Sequence, residues 1–223
     1  MNWPIPLLRL SDLAFKNDSL DSAQLCPFGY VGLRWHLNGA EALSTICNEL
    51  SVQYGRPAHV WLPAYFCGQS LRYLRALPLE LNFYPVTSGL LPDYESLGRL
   101  CSGKQVDLLV HVHYFGRVSG QQKSRDFADK VGALLIEDCA HVISPLIKDR
   151  WMGDYLIFSP HKLFALPLLG LAIGRSSFTS GTSVLKGLPW SWILRQFVRR
   201  IKWKSIDTPW GKVWSDLVSF TEK

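Results

Sequence analysis

The sequence predicts an α/β fold, a three-layer α/β/α sandwich built on a mostly parallel sheet. Three observations carry that prediction. Segments with helical and strand periodicity alternate from about residue 40 to residue 175, the pattern of crossover units packed on a parallel sheet. Residues 106–113 form a nearly continuous apolar run, as expected of a strand buried on both faces. Finally, 48% of the 223 residues are hydrophobic and only 19% are charged, a composition that suits a folded domain rather than a disordered or fibrous chain.

The elements follow in order. Residues 40–54 carry Ala42, Leu43, Ile46, Cys47 and Leu50 at helical spacing. A short strand over 60–62 stops at Pro63, and 69–77 returns to helical spacing. Residues 81–86 read as the next strand. Pro92 and Asp93 open a helix around 94–101, and the apolar strand 106–113 comes next. A charged amphipathic helix spans 121–131. Two further buried strands cover 133–136 and 155–158, and a last short one covers 170–173. Beyond Arg175 the chain turns rich in Ser, Thr and Gly, a linker signature. Pro189 then opens a basic amphipathic helix with Trp192, Ile193, Phe197, Ile201 and Trp203 among arginines and lysines. The organisation expected is an N-terminal segment over 1–30, a large domain over 31–175, and a linker with a basic helix over 176–223.

The formal net charge is +6, but Arg195, Arg199, Arg200, Lys202 and Lys204 cluster near the end, so the body of the chain is closer to neutral. No recognition module accompanies these charges, which argues against nucleic acid. The stretch 190–214 could join a further domain, pack on a partner subunit, or lie on a membrane surface, where Trp with Arg and Lys is at home; the joining role is favoured. Five dispersed cysteines without a CxxC pair argue against a disulfide framework and a cysteine metal site, and hence for a reducing, cytoplasmic setting. The N-terminus lacks the pattern of a signal peptide. The longest apolar stretch, 163–173, falls short of the ~20 residues that span a bilayer.

Reactive side chains gather where strands end, and in an open parallel sheet ligands bind outside the carboxyl ends of the strands. The strand 106–113 runs into His113-Tyr114-Phe115-Gly116. The next is followed by Glu137-Asp138-Cys139-Ala140-His141, and the next by Ser159-Pro160-His161-Lys162. Each alone has an ordinary explanation: a helix cap for Asp138, a solvated cation for Lys162, packing for His113 and His141. Together they supply what pyridoxal 5'-phosphate (PLP) requires. A lysine forms a Schiff base and is poised by partial burial. A carboxylate keeps the pyridine nitrogen protonated, and a serine hydroxyl can donate to the phosphate. Glu137 points to the opposite face by strand alternation, as a solvated or sheet-bonded acid.

These segments resemble those of the DegT/DnrJ/StrS sugar aminotransferases, PLP-dependent enzymes of fold type I. Residues 135–141, Leu-Ile-Glu-Asp-Cys-Ala-His, are similar to the family's "IEDAAQ/H" run, and residues 158–164, Phe-Ser-Pro-His-Lys-Leu-Phe, to its "SPRKFF" lysine segment. Residues 60–67 resemble "VLLPAYxC", 113–116 resemble "HxYG", and 38–43 resemble "SGTxAL". The five occur in the family's order over roughly residues 30–175. The resemblance implies the large domain of fold type I, with Lys162 as the internal aldimine and proton shuttle. It implies Asp138 on the pyridinium nitrogen, Ser159 on the phosphate and His141 near the phenolic oxygen. The helix start at Gly39, Ala40 and Glu41 would hold the phosphate through backbone N–H groups, and Tyr65, Phe66 or Cys67 would lie against the ring. The resemblance further implies an amino acid as the donor, a nucleotide-linked keto sugar as the acceptor, and a site built across a homodimer.

Two departures stand beside the resemblance. After the lysine the family has "GVPDGG", whereas this chain has Ala-Leu-Pro-Leu-Leu-Gly over 165–170. Family members also continue into a small C-terminal domain, whereas this sequence ends at Lys223. The chain is then either a fragment or a truncated relative, silent in catalysis and acting as a binding or assembly module.

Overall fold

The computed structural model describes residues 27, 29–143, 151–163 and 169–178. The tail 179–223 with its basic Trp-rich helix lies outside the described residues, as do 165–168 and most of the segment 1–30. The described residues all belong to one compact unit, 18–164 with 168–185.

Among the described residues, seven strands make a single sheet: β1 (Gly32–His36), β2 (Ala58–Pro63), β3 (Leu79–Tyr84), β4 (Leu108–Val112), β5 (Leu134–Cys139), β6 (Tyr155–Phe158) and β7 (Gly170–Gly174). Their order is β1-β7-β6-β5-β4-β2-β3. Neighbours from β6 to β3 pair in parallel, and β7 runs antiparallel to both β6 and β1. The carboxyl ends of β2, β4, β5 and β6 therefore share one edge, and the crossovers between them carry helices on both faces.

One face is covered by α1 (Gly39–Tyr54) and Leu74 of α2 (Gly68–Arg75), which pack on Ala58, Val60, Leu62, Leu108, Val110, Ile136, Ile157 and Ala172. The other face is covered by α3 (Tyr94–Leu100) and α4 (Gln121–Val131), through Leu97 and Ala128 against Trp61, Leu109 and Leu135. Successive strand residues thus serve opposite layers. The three-layer sandwich is present, and the helices at 39–54, 94–100 and 121–131 fall within a residue of their expected bounds.

α1 begins where the local chemistry dictates. Asn38 is extended (φ −161°, ψ 172°), and its side chain accepts the Glu41 N–H at 2.8 Å. Glu41 in turn accepts the Leu37 N–H at 2.6 Å. These reciprocal bonds satisfy donors that the first turn leaves open. The helix stops at Gly55, whose left-handed conformation (φ 63°) suits a residue without a Cβ.

β1 is the strand that periodicity did not reveal. Its Gly32, Arg34 and His36 are the buried residues, so its inner face is polar. Arg34 is tolerated there because it pairs with Glu49 at 2.6 Å and lies over the Phe178 ring at 4.6 Å. The strand expected over 133–136 extends to Cys139, which places Asp138 within the ladder rather than beyond it.

Candidate active site

Four strand ends meet around a cavity of about 260 Å3. The turn after β2 contributes Tyr65, Phe66 and Cys67. β4 and the 3₁₀ turn Tyr114–Gly116 contribute Val112, His113, Tyr114 and Phe115. The end of β5 contributes Asp138, Ala140 and His141, and the 3₁₀ turn Pro160–Lys162 contributes Lys162. Among the expected site residues, Lys162, Asp138, His141, Tyr65 and Phe66 are thus brought to one place.

The walls are tied together by backbone contacts. The Tyr114 hydroxyl donates to the Tyr65 carbonyl at 2.5 Å, and the two rings lie 5.6 Å apart. Phe115 sits at φ 56°, a conformation costly for a side chain of its size. Its ring is 75% exposed and lies parallel to that of His141. Gly116 (φ 78°) lets this turn approach β5 closely; a Cβ there would come within 2.5 Å of the His141 carbonyl. The HxYG-like segment signalled this turn, but the bond from Tyr114 to Tyr65 was not legible in it.

Asp138 keeps some exposed surface, yet its carboxyl group is desolvated, and burial raises its pKa. The Ala140 N–H, donating at 2.9 Å, and the charges of Lys162, His141 and His113 pull the other way. His141 is exposed on the rim; partial burial and the Lys162 ammonium hold its pKa below the usual imidazole value, against the pull of Asp138. The Cys67 thiol is lowered, foremost by the Ser70 backbone N–H and also by Lys162. Lys162 itself is exposed rather than partly buried as expected, because the 3₁₀ turn after β6 carries it past the sheet edge.

The residues expected to hold a phosphate form a separate cluster and do not line the cavity. The Ser159 hydroxyl accepts the Gly39 N–H at 2.9 Å and is buried. A Cβ on Gly39 would come within 2.4 Å of that oxygen, so the glycine is what permits the approach. Glu41 gives its N–H to Asn38, which leaves Ala40 between two engaged amides. None of Gly39, Ala40, Glu41 or Ser159 lines the cavity.

Glu137 faces away from Asp138, as alternation requires, but it is buried rather than solvated. One oxygen accepts the N–H groups of Met152 and Gly153 at 2.6 Å each, and the other meets His113 Nε2 at 2.6 Å. His113 therefore belongs both to the cavity wall and to a buried polar cluster behind it.

No protein-family model matches the sequence, and no curated protein matches it. Solved structures do. PseC of Helicobacter pylori, an aminotransferase of pseudoaminic acid biosynthesis, superposes with a TM-score of 0.58 at 14% identity, covering 69% of this chain and 42% of its own. DesV of S. venezuelae, solved with a ketimine intermediate, gives 0.57 at 18% identity, with 69% and 42% covered. A DegT DnrJ EryC1 StrS aminotransferase from Brucella abortus gives 0.52 at 18% identity, with 66% and 42% covered. The chain spans less than half the length of each. Sheet order, the lone antiparallel β7 and these superpositions agree that the chain has the PLP-dependent transferase fold of type I, as built by the DegT/DnrJ/EryC1/StrS aminotransferases.

Proposed function

We propose that this chain forms the PLP-binding part of an aminotransferase that moves an amino group from an amino acid to a nucleotide-linked keto sugar. The observation that supports it is the opening of Lys162 and Asp138 into one cavity beside the aromatic pair Tyr65 and Phe66. The donor set fits the cofactor. A desolvated acid, an exposed amine and aromatic side chains line the same cavity. Ser159 and the Ala40 amide at the α1 N-terminus lie next door, where a helix start favours a phosphate.

Bound there, PLP would supply an electron sink for charge developing beside the substrate amine. Asp138 would hold a proton at the ring nitrogen, and burial away from bulk water strengthens that contact. Lys162 would anchor the cofactor covalently and carry protons at the substrate carbon; its exposed position leaves it able to swing between these tasks. Tyr65 or Phe66 would lie against the ring and exclude water from one side. His141 would approach the phenolic oxygen from the rim. The same reading places the chain in a homodimer in the cytoplasm, and the PLP-binding large domain within residues 31–175.

Reduction with borohydride tests this directly. The full chain mixed with PLP and reduced should carry the label on the peptide containing Lys162. Lys162→Ala should lose the label yet keep its circular dichroism, since an exposed side chain contributes little packing. Label on another lysine, or no uptake by the wild type, would reject the enzyme and leave the silent binding module.

A further inference from the structure

We propose that His161 is a positioning residue: by donating from Nδ1 to the Leu169 carbonyl, it ties the two arms of the β6–β7 connection together and fixes the 3₁₀ turn that presents Lys162 to the cavity. The proposal rests on the reading of Lys162 as the cofactor lysine, but the tie itself is open to test in the cofactor-free chain.

The turn needs such a tie. β6 and β7 pair as an antiparallel ladder whose last register, Phe158 with Leu171, lies just before Ser159. Beyond it the arms part. Ser159 accepts the Gly39 N–H at 2.9 Å, and the turn Pro160–Lys162 leads the chain out to an exposed Lys162. Within the turn, the Lys162 N–H donates to the Ser159 carbonyl at 2.9 Å and the Leu163 N–H to the Pro160 carbonyl at 3.0 Å. A single 3₁₀ turn of this kind has poor hydrogen-bond geometry and little stability of its own. Pro160 pre-sets one φ angle; the rest of its order has to come from tertiary contacts.

His161 supplies one. Its Nδ1 stands 2.9 Å from the Leu169 carbonyl oxygen, and both residues are half-buried. The acceptor sits on constrained backbone. The Leu169 carbonyl shares a planar peptide unit with the Gly170 nitrogen. Gly170 is registered with His36 of β1, and a Cβ on it would stand 2.2 Å from the Asn38 carbonyl carbon of the α1 cap. The turn is thus referred to one corner of the sheet from two sides, through Ser159 to Gly39 and through His161 to Leu169. A carbonyl oxygen only accepts, so Nδ1 must carry a hydrogen. In the neutral ring the lone pair then lies on Nε2, and protonation there leaves the bond to Leu169 in place. Lys162 follows His161 directly and lines the cavity, so the base of its side chain is set where the tie is made. An amine on a flexible stem attacks productively only from a well-placed base; a displacement of about 1 Å can cost on the order of 100-fold in rate.

Nitrogen NMR of the imidazole in the cofactor-free full chain reads the tie. The neutral ring of His161 must hold its proton on Nδ1, and a proton on Nε2 instead overturns the proposal. His161→Ala, which has no donor, should speed exchange of the Lys162 and Leu163 amides by on the order of 10-fold while the amides of β6 and β7 keep their rates. Borohydride-trapped PLP on Lys162 should form about 10-fold more slowly or worse in the same variant. His161→Asn, whose side-chain N–H takes the place of Nδ1–H, should restore both. A merely structural role predicts a lower melting temperature with exchange quickened evenly over β6, β7 and the turn; that result overturns the proposal, as does an unchanged labelling rate in the alanine variant. Should the alanine variant not fold, the tautomer and the asparagine variant decide, and fast exchange at Lys162 in the latter overturns it. A wild type that takes up no PLP, yet shows the Nδ1 proton and the local change in exchange, upholds the tie and rejects the aminotransferase.

Discussion

Glu137 and Asp138 follow one another in β5 and face opposite sides of the sheet. Glu137 is closed off with both oxygens bonded, whereas Asp138 has one bond, from the Ala140 N–H, and otherwise faces the cavity. The difference decides which acid is available to a ligand. Asp138→Asn keeps the shape and removes the charge, so PLP uptake should persist in part. The half-transamination rate, followed by absorbance in a single turnover, should fall on the order of 100-fold or more. An unchanged rate would remove Asp138 from the role of ring acid. Lys162 shows the limit of sequence reasoning at this scale. Its neighbours pointed to a strand-end amine, but its exposure depends on a single turn of 3₁₀ helix.

Among the elements, the junction of β7 with α1 carries the most constraint. β7 passes so close to the α1 N-terminus that a Cβ on Gly170 would stand 2.2 Å from the Asn38 carbonyl carbon. Since backbone cannot yield as a flexible side chain does, Gly170→Ala should destabilise the chain by about 1–3 kcal/mol or more. Removing the cap with Asn38→Ala should cost about 1 kcal/mol. Urea unfolding with an unchanged slope would measure both. An alanine at 170 that unfolds at the wild-type midpoint would mean that β7 does not press on α1. The α1 N-terminus also carries the Gly39 N–H bond to Ser159, so strain there should loosen that contact as well.

Across the whole molecule, two buried histidines make stability depend on pH. His36 is lowered to about 4 by burial and by the Arg34 charge, and His111 to about 4 by burial and by His113. Both lie below the ordinary value of 6.5 that applies in the unfolded chain. Above pH 6.5 both are neutral in either state and stability is full. As pH falls from 6.5 towards 4, the unfolded chain binds protons that the folded chain resists, and up to roughly 3 kcal/mol is lost for each. The melting temperature should therefore drop steadily over that window. A level melting temperature from pH 7 to 4.5 would contradict the burial of these rings. Among the described residues, no helix is long and apolar enough to cross a membrane.

The sequence by itself determined the layer architecture and which strand ends meet at the cavity. Apolar runs such as 108–110, and amphipathic helices such as 121–131, announce their burial through local periodicity. Strand ends in a parallel sheet share one edge by topology, so Asp138 and Lys162 could be placed together without coordinates. Tertiary structure alone decided what depends on contacts distant along the chain. β1 hides its buried face behind Arg34 and His36, whose partner Glu49 and cover Phe178 lie in other elements. The antiparallel direction of β7 is invisible to periodicity, because a period of two reads alike in either direction. Glu137 reads as a solvated or sheet-bonded acid until Met152, Gly153 and His113 are seen to converge on it. Periodicity records how a segment meets water; a hydrogen-bond partner dozens of residues away leaves no periodic trace.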